Sequence, residues 1–313
     1  MAKKAYRVRN WKQYNKALVQ RGSVTFWINE YSLQNWHEKY KGGDKPKGRP
    51  KKYSNIAIET CLVMKVLFKL AYRQCQGFVE SLCCLLKFKV TAPSYTQLCR
   101  RQKQLDIKLQ HSINGPIHVV VDATGLKIFG EGEWKVRQHG YSKHRMWRKL
   151  HVGIDVESKE FVMMELTDNH IGESKLLKPL LAQYTDDLLK VGGDKGYDSY
   201  ECHETIGNRG AVSAILLQRK AKIRRRKKSK NTTLVRDDIV RRMRKIGRKK
   251  WKEEVGYHSR SLVENAFFRY KTILGRKLRS HSIENQKVEA LIACNILNKF
   301  TQMGMCDSYV VER

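Results

Sequence analysis

The apolar run Ile117-His118-Val119-Val120-Val121, closed by Asp122, opens an alternation of strand-like and helix-like segments, and that alternation constrains the fold most. A short apolar run of this kind predicts a buried strand. Leu150–Val156 and Phe161–Leu166 predict two more, and the polar turn Glu157-Ser158-Lys159-Glu160 between them predicts an antiparallel hairpin. A helix is expected from about Glu173 to Leu189, then a short strand ending Gly192-Gly193 and closed by Asp194. A helix around Tyr200–Asn208 and a strand over Ala211–Leu217 follow. The order β-β-β-α-β-α-β and then α predicts an α/β chain, a mixed sheet with helices on its faces.

Upstream the spacing is helical. Ser54 is suited to cap a helix in which Ile58, Leu62, Val66 and Leu70 repeat every four residues. A second helix is expected over about Gln76–Leu86. Thr91-Ala92-Pro93-Ser94 breaks the chain, and Ser94 is placed to cap a third helix over Tyr95–Leu105. Two helices, a tight break and a final helix carrying Arg100 and Arg101 suit a helix-turn-helix module, so 54–112 reads as a helical DNA-binding domain. Plain helical packing gives a similar pattern. Residues 1–53 read as a basic arm, with a cationic linker from Gly42 to Lys52 that either follows phosphates or is a solvated tether.

Charge points to the partner. Sixty-three Lys and Arg stand against thirty Asp and Glu, a formal charge of +33. Self-repulsion of that size is relieved by a polyanion, so nucleic acid is the leading partner. The densest stretch is 218–252, which includes Arg224-Arg225-Arg226; it reads as DNA-contacting rather than as a solvated loop. No run of roughly 18 uncharged apolar residues occurs, so no membrane span is expected. The basic start lacks the apolar core of a signal peptide. Eight scattered cysteines without a C-x-x-C pair read as reduced thiols of a cytoplasmic protein, not a zinc site.

Three acids carry the chemistry. Asp122 and Asp194 close the first and fourth strands, and the carboxyl ends of strands are where sites gather in open α/β sheets. Gly125 and Gly196 follow them; Asp198-Ser199 reads as the cap of the next helix. Glu264 lies in a helical pattern running to Lys271. At about 100° per residue, Tyr257, Arg260, Glu264 and Lys271 fall on one face, opposite Leu262, Val263, Ala266, Phe267, Tyr270, Ile273 and Leu274. Alone, Arg260 and Glu264 read as an exposed i, i+4 pair. Two carboxylates roughly 4 Å apart repel by about 4 kcal/mol at an effective dielectric of 20, so three together need protons or metal. Hard oxygen donors suit Mg²⁺ or Mn²⁺, and two ions can serve an in-line phosphoryl displacement.

These residues match a known pattern. Val121-Asp122-Ala123-Thr124-Gly125-Leu126-Lys127, Gly132–Gly140, Gly193-Asp194-Lys195-Gly196-Tyr197-Asp198 and an ungapped Y-(2)-R-(3)-E-(6)-K signature resemble the DDE transposases of bacterial insertion sequences, most closely the insertion-sequence-five family. The signature residues are Tyr257, Arg260, Glu264 and Lys271, and the resemblance covers about residues 50 to 305.

The resemblance implies an RNase H-like core over 113–305, with Asp122, Asp194 and Glu264 as its metal-binding triad, a basic insertion at about 218–252 and a tail at 306–313. It also implies binding to terminal inverted repeats, strand cleavage that frees a 3′-hydroxyl, and attack of that hydroxyl on target DNA. The acting species would be a homo-oligomer on DNA, cytoplasmic and nucleoid-associated. Tyr257, Arg260 and Lys271 would hold phosphates or an unpaired base. Ala123-Thr124 departs from the small hydroxyl pair of relatives without touching ligation. Trp134 and Trp147 suit core packing better than base stacking. The alternative function is a silent, DNA-binding repressor descended from such an enzyme; an RNA-binding basic protein would explain the charge but not the acids.

Overall fold

A computed structural model describes residues 5–40, 48, 50–129, 146–224 and 234–311. The chain divides into two compact units, Leu109–Leu278 and a second made of Met1–Lys108 with Arg279–Arg313.

The unit over 109–278 is built on five strands: β2 (Ile117–Phe129), β3 (Met146–Asp155), β4 (Phe161–Asp168), β5 (Leu188–Gly193) and β6 (Val212–Ile215). Their order across the sheet is β4-β3-β2-β5-β6. The β2–β3 and β3–β4 pairs are antiparallel, while β5 runs parallel to β2 and β6 parallel to β5. This is the expected mixed sheet, and the hairpin expected between the second and third strands closes through Asp155 and Glu160.

Alternation along the strands decides the faces. Ile117, Val119 and Val121 of β2 pack with Val191, Ile215 and the helices α7 (Glu173–Leu181) and α8 (Tyr200–Gly207) in one apolar core. The expected helix over 173–189 stops at Leu181, because Leu188 and Leu189 already belong to β5. The first strand is longer than expected: it does not end at Asp122 but continues to Phe129, paired with β3 throughout.

The basic stretch after β6 is folded. Its described part forms α9 (Val235–Ile246) and α10 (Arg248–Glu254), separated by Gly247 at φ +83°. Ile239, Met243, Ile246, Trp251 and Val255 pack with Ala214 and Leu216, so the apolar residues scattered among the cations are a second core. Arg242 pairs with Glu254 to tie the two helices together. The segment 257–274 is three kinds of helix in succession: a 3₁₀ turn at Tyr257–Arg260, α11 over Ser261–Arg269 and a π-helical turn at Tyr270–Leu274.

The other unit contains β1 (Ala5–Val8), α1 (Trp11–Arg21), α2 (Val24–Trp27), α3 (Glu30–Gln34), α4 (Asn55–Leu67), α5 (Tyr72–Leu85), α6 (Tyr95–Gln102), α12 (Ile283–Met303) and β7 (Ser308–Val311). Ser54 and Ser94 cap α4 and α6 as expected, each accepting a backbone N–H three residues on. α5 begins four residues earlier than expected and α6 ends three earlier.

The domain boundaries expected at 53 and 305 are not those of the structure. Residues 5–34 are structured rather than an arm, Trp36 is fully buried, and β7 pairs antiparallel with β1 where a free tail was expected. Residues 279–313 join this unit because buried polar groups bind them there. Lys65 pairs with Glu289 at 3.3 Å, Glu289 also accepts from Ser280, and Gln102 donates to the Asn285 carbonyl. Most of the expected linker, 41–47 and 49, lies outside the described residues. No helix among the described residues is long and apolar enough to cross a membrane. All eight cysteines are free.

Candidate active site

Strand register brings the two aspartates together. β2 and β5 are parallel, and their last pair is Val120 with Gly192. Two residues further on lie Asp122, still within β2 and paired with β3, and Asp194, just past the end of β5, side by side on strands spaced about 4.8 Å apart. By alternation they share the face of Val120 and Gly192, opposite the core of Val119 and Val121. β5 ends at Gly193, whereas β2 runs on beside β3, which opens a notch at the sheet edge. Asp194 then caps a 3₁₀ turn, its Oδ1 accepting the Gly196 N–H at 2.7 Å.

Glu264 comes from α11, and Arg260 joins it to the strand. The Arg260 guanidinium donates to Asp122 Oδ2 at 3.2 Å and to Glu264 Oε1 at 2.5 Å. The planar fork of arginine suits that double contact. Glu264 remains 56% exposed, its carboxylate outside the notch except for this link. Among the described residues, no three His, Cys, Asp or Glu side chains are already grouped to hold a metal ion. The Arg260 guanidinium pairs with two of the three acids.

Burial pushes the Asp122 carboxyl up to about 6. The Ala123 N–H and Arg260 oppose that rise, while Asp194 and Glu173 add to it. Glu173, in the first turn of α7, is a carboxylate that the strand-end argument missed. Acids are common in first turns because they complement the helix dipole, so no sequence signal separates this one.

Two features suit a cation here. A Cβ on Gly196 would meet Glu173 Oε2 at 2.6 Å and Asp194 Oδ1 at 2.9 Å, so the glycine leaves a gap between two carboxylate oxygens. The Tyr197 hydroxyl is buried without a hydrogen-bond partner among the described residues. Burial raises its pKa well above the ordinary value, followed by the charges of Glu173, Asp122 and Asp194. Oxygen donors around such a gap suit Mg²⁺ or Mn²⁺.

The remaining expected residues divide. Tyr257 is close to the acids: burial raises its pKa, Arg260 opposes this, and Asp194 and Asp122 add to it. Lys271 lies beyond α11, on the π-helical turn Tyr270–Leu274. The Arg224 guanidinium packs over the Tyr200 ring at 5.6 Å, and Arg225 and Arg226 lie outside the described residues. So do Gly132–Gly140 and Trp134; Trp147 is buried, as expected.

In the other unit Arg100 is exposed, but Arg101 donates to the Tyr53 carbonyl and to Asn55 Oδ1, which fixes α6 to the start of α4. Arg101 thus has a structural role within this unit. Asp198 is not a helix cap; Ser199 is. Burial alone would raise the Asp198 pKa, but His203, both donors of Arg236 and the Gln218 N–H hold it well below the ordinary value. Ser213 and His203 continue this sealed network at 2.8 Å.

Cations approach from one side. Lys195, Arg219, Lys220, Arg248 and Lys252 line an open cavity of about 880 Å³ with Asp194 and Gly196 on its wall. A polyanion lying there would reach the notch.

Two family profiles, both described as a transposase DDE domain, match residues 19–131 and 113–299, the second spanning more than half of the chain. Among solved structures, the chain is similar to the Drosophila P element transposase strand transfer complex, at 12% identity and a TM-score of 0.31, with 66% of this chain and 48% of that chain covered. It is also similar to the piggyBac transposase synaptic complex with hairpin DNA, at 8% identity and a TM-score of 0.38, covering 96% and 78% respectively. The chain thus spans about half the length of the P element protein.

Proposed function

The chain belongs to the DDE transposase family, and from that premise we propose that it cuts DNA at the terminal inverted repeats of a mobile element and joins the freed ends to target DNA. Asp122, Asp194 and Glu264 are the catalytic carboxylates in this reading. The observation that carries it is the register of β2 on β5, which sets Asp122 within β2 beside Asp194 at the end of β5, while Arg260 ties the third acid to the first.

Asp122, Asp194 and Glu264 would hold Mg²⁺ or Mn²⁺, two ions per site. The bound metal supplies Lewis acidity toward phosphate oxygens and lowers the pKa of water. The chain's own groups do the rest. Arg260 neutralises Asp122 and Glu264 in the resting protein; its fork is equally suited to a DNA phosphate, and moving to one would free both carboxylates. Lys195, Arg219, Lys220 and Lys252 draw the strand along the cavity toward Asp194. Tyr257 would hold a phosphate or an unpaired base next to the cut. Lys271 and Arg100 would contact DNA further out. The working form is a homo-oligomer that pairs two transposon ends, in a cytoplasmic, nucleoid-associated protein.

The test is single replacement of Asp122, Asp194 or Glu264 by Ala, with end cleavage measured in Mg²⁺ and in Mn²⁺. Each variant should keep end binding and lose cleavage by at least about 10³-fold, roughly 4 kcal/mol of transition-state stabilisation. A variant that cleaves like the parent removes its residue from the site. A parent protein that shifts end DNA but nicks it with neither metal is the silent repressor instead.

A further inference from the structure

Glu173 is drawn toward the acids by more than its helix. Its Oε2 and Asp194 Oδ1 face the same point, 2.6 and 2.9 Å from where a Cβ on Gly196 would sit. Gly196 does not occupy the left-handed region, so its backbone would accept another residue. What excludes a side chain there is the pair of oxygens. An acid in a helix's first turn is explained by the dipole, and the Lys149 ammonium 3.5 Å from Glu173 Oε1 offsets part of its charge. Neither fact explains why the gap between two carboxylates is kept open.

A second observation is independent of the first. Tyr197, the residue after Gly196, is 1% exposed, yet its hydroxyl finds no hydrogen-bond partner among the described residues. A buried, unsatisfied hydroxyl carries a desolvation penalty unless something further completes its surroundings. Of the three carboxylates that act on it, Glu173 acts most strongly, before Asp122 and Asp194. An ordered hydration shell around a cation between those acids would satisfy it.

We propose that Glu173 is a fourth carboxylate of the metal site, binding a divalent cation together with Asp194 across the gap at Gly196. This rests on the reading of Asp122, Asp194 and Glu264 as metal ligands. It also balances charge: four carboxylates match two divalent ions, whereas in the resting protein Arg260 and Lys149 offset only part of the negative charge. Glu173 arrives from the helix side of the sheet edge and Glu264 from α11, so Asp122 and Asp194 are approached by an acid from each of two helices.

The experiment measures Mn²⁺ binding to the full chain by calorimetry and by the loss of the free-ion paramagnetic signal, for the parent and for Glu173→Gln, Glu173→Asp and Asp194→Asn. Glu173→Gln should weaken Mn²⁺ binding by at least about tenfold while metal-free binding of end DNA and metal-free melting stay at parental values. Glu173→Asp should recover part of the loss, because it restores the charge on a shorter arm. Parental Mn²⁺ affinity and stoichiometry in Glu173→Gln, with Asp194→Asn impaired, would overturn this proposal alone. Parental Mn²⁺ binding in Asp194→Asn as well would overturn the underlying triad.

Discussion

Val120 and Gly192 are the last residues paired between two parallel strands, and the chain leaves each of them two residues before an aspartate. That register makes neighbours of residues 72 positions apart in sequence without asking anything of the loops. It also sets two carboxylates side by side, so their mutual repulsion must be met by other groups. Arg260 meets part of it, Lys149 part through Glu173, and the open space at Gly196 leaves room for more.

Gly196→Ala tests that space directly. The new methyl would press on Glu173 Oε2 and Asp194 Oδ1, both well inside van der Waals distance. Cleavage should fall by at least about tenfold with Mg²⁺ affinity falling in parallel. Melting without metal should change little, since a carboxylate on a flexible side chain can move aside. A melting loss as large as that of a core deletion, with Mg²⁺ affinity intact, would assign Gly196 to packing instead.

Arg260→Ala separates neutralisation from ligation. The pair with Glu264 is half in solvent, so metal-free stability should drop by no more than about 1 kcal/mol. With the guanidinium gone, a divalent ion becomes the main cation available to Asp122 and Glu264. The melting shift produced by Mn²⁺ should therefore exceed that of the parent, while strand cleavage falls. An unchanged Mn²⁺ shift would mean that Arg260 and the metal do not share ligands.

What the sequence made legible follows from how local each signal is. Ser54 and Ser94 were readable as caps because capping is decided within four residues. The strands were readable from alternation, yet β2 runs past Asp122 because its pairing with β3 is a tertiary fact. Arg260 and Glu264 share a face as expected at i, i+4, while the π turn over Tyr270–Leu274 that follows α11 has no signal in the residue spacing. The insertion showed only its charge; Gly247 breaks the apolar spacing of Ile239, Met243 and Ile246 before it reaches Trp251. Glu173 was invisible for a different reason. Nothing in a helix's first turn says which sheet edge it will meet.

Asp198, four residues from Asp194, should behave in the opposite way to it. Its carboxylate is sealed and held by Arg236 and His203, which anchor α9 and α8. Asp198→Ala leaves the Arg236 charge buried without its partner, a loss of about 3–5 kcal/mol. Urea unfolding should show that loss, with Mn²⁺ affinity near parental under conditions where the variant remains folded. Stability near parental would mean that α9 is held by its apolar face alone.

His151 gives the pH dependence. It is fully buried on β3, its Nε2 3.0 Å from Thr167 Oγ1, and burial, followed by Lys149, pushes its pKa down to about 4. An unfolded histidine titrates near 6.5, so between roughly pH 6.5 and 4 the unfolded chain takes up a proton that the native one refuses. Stability from this residue is therefore complete above about pH 7 and falls as pH drops through that window, by roughly 1–3 kcal/mol. Urea midpoints at pH 7.5, 6 and 5 should decline in the parent and decline less in His151→Asn. Parallel slopes in the two proteins would clear His151 of the effect.

Salt dependence distinguishes cations that face DNA from cations that build the fold. Arg219, Lys220 and Lys252 line the cavity beside Asp194, and each phosphate contact removed there should flatten the slope of log affinity against log salt by about 0.9. The triple Gln variant should thus lose between two and three units of slope, by that same rule, with melting unchanged. Arg101→Gln should do the reverse. Its guanidinium holds the Tyr53 carbonyl and Asn55, so its removal should lower stability by about 1–3 kcal/mol and leave the slope alone. Arg100, exposed one residue away, is the matched control: its substitution by Gln should move the slope and not the melting point. If Arg101→Gln instead flattened the slope at parental stability, α6 would present both arginines to DNA and the contact to Tyr53 would be incidental.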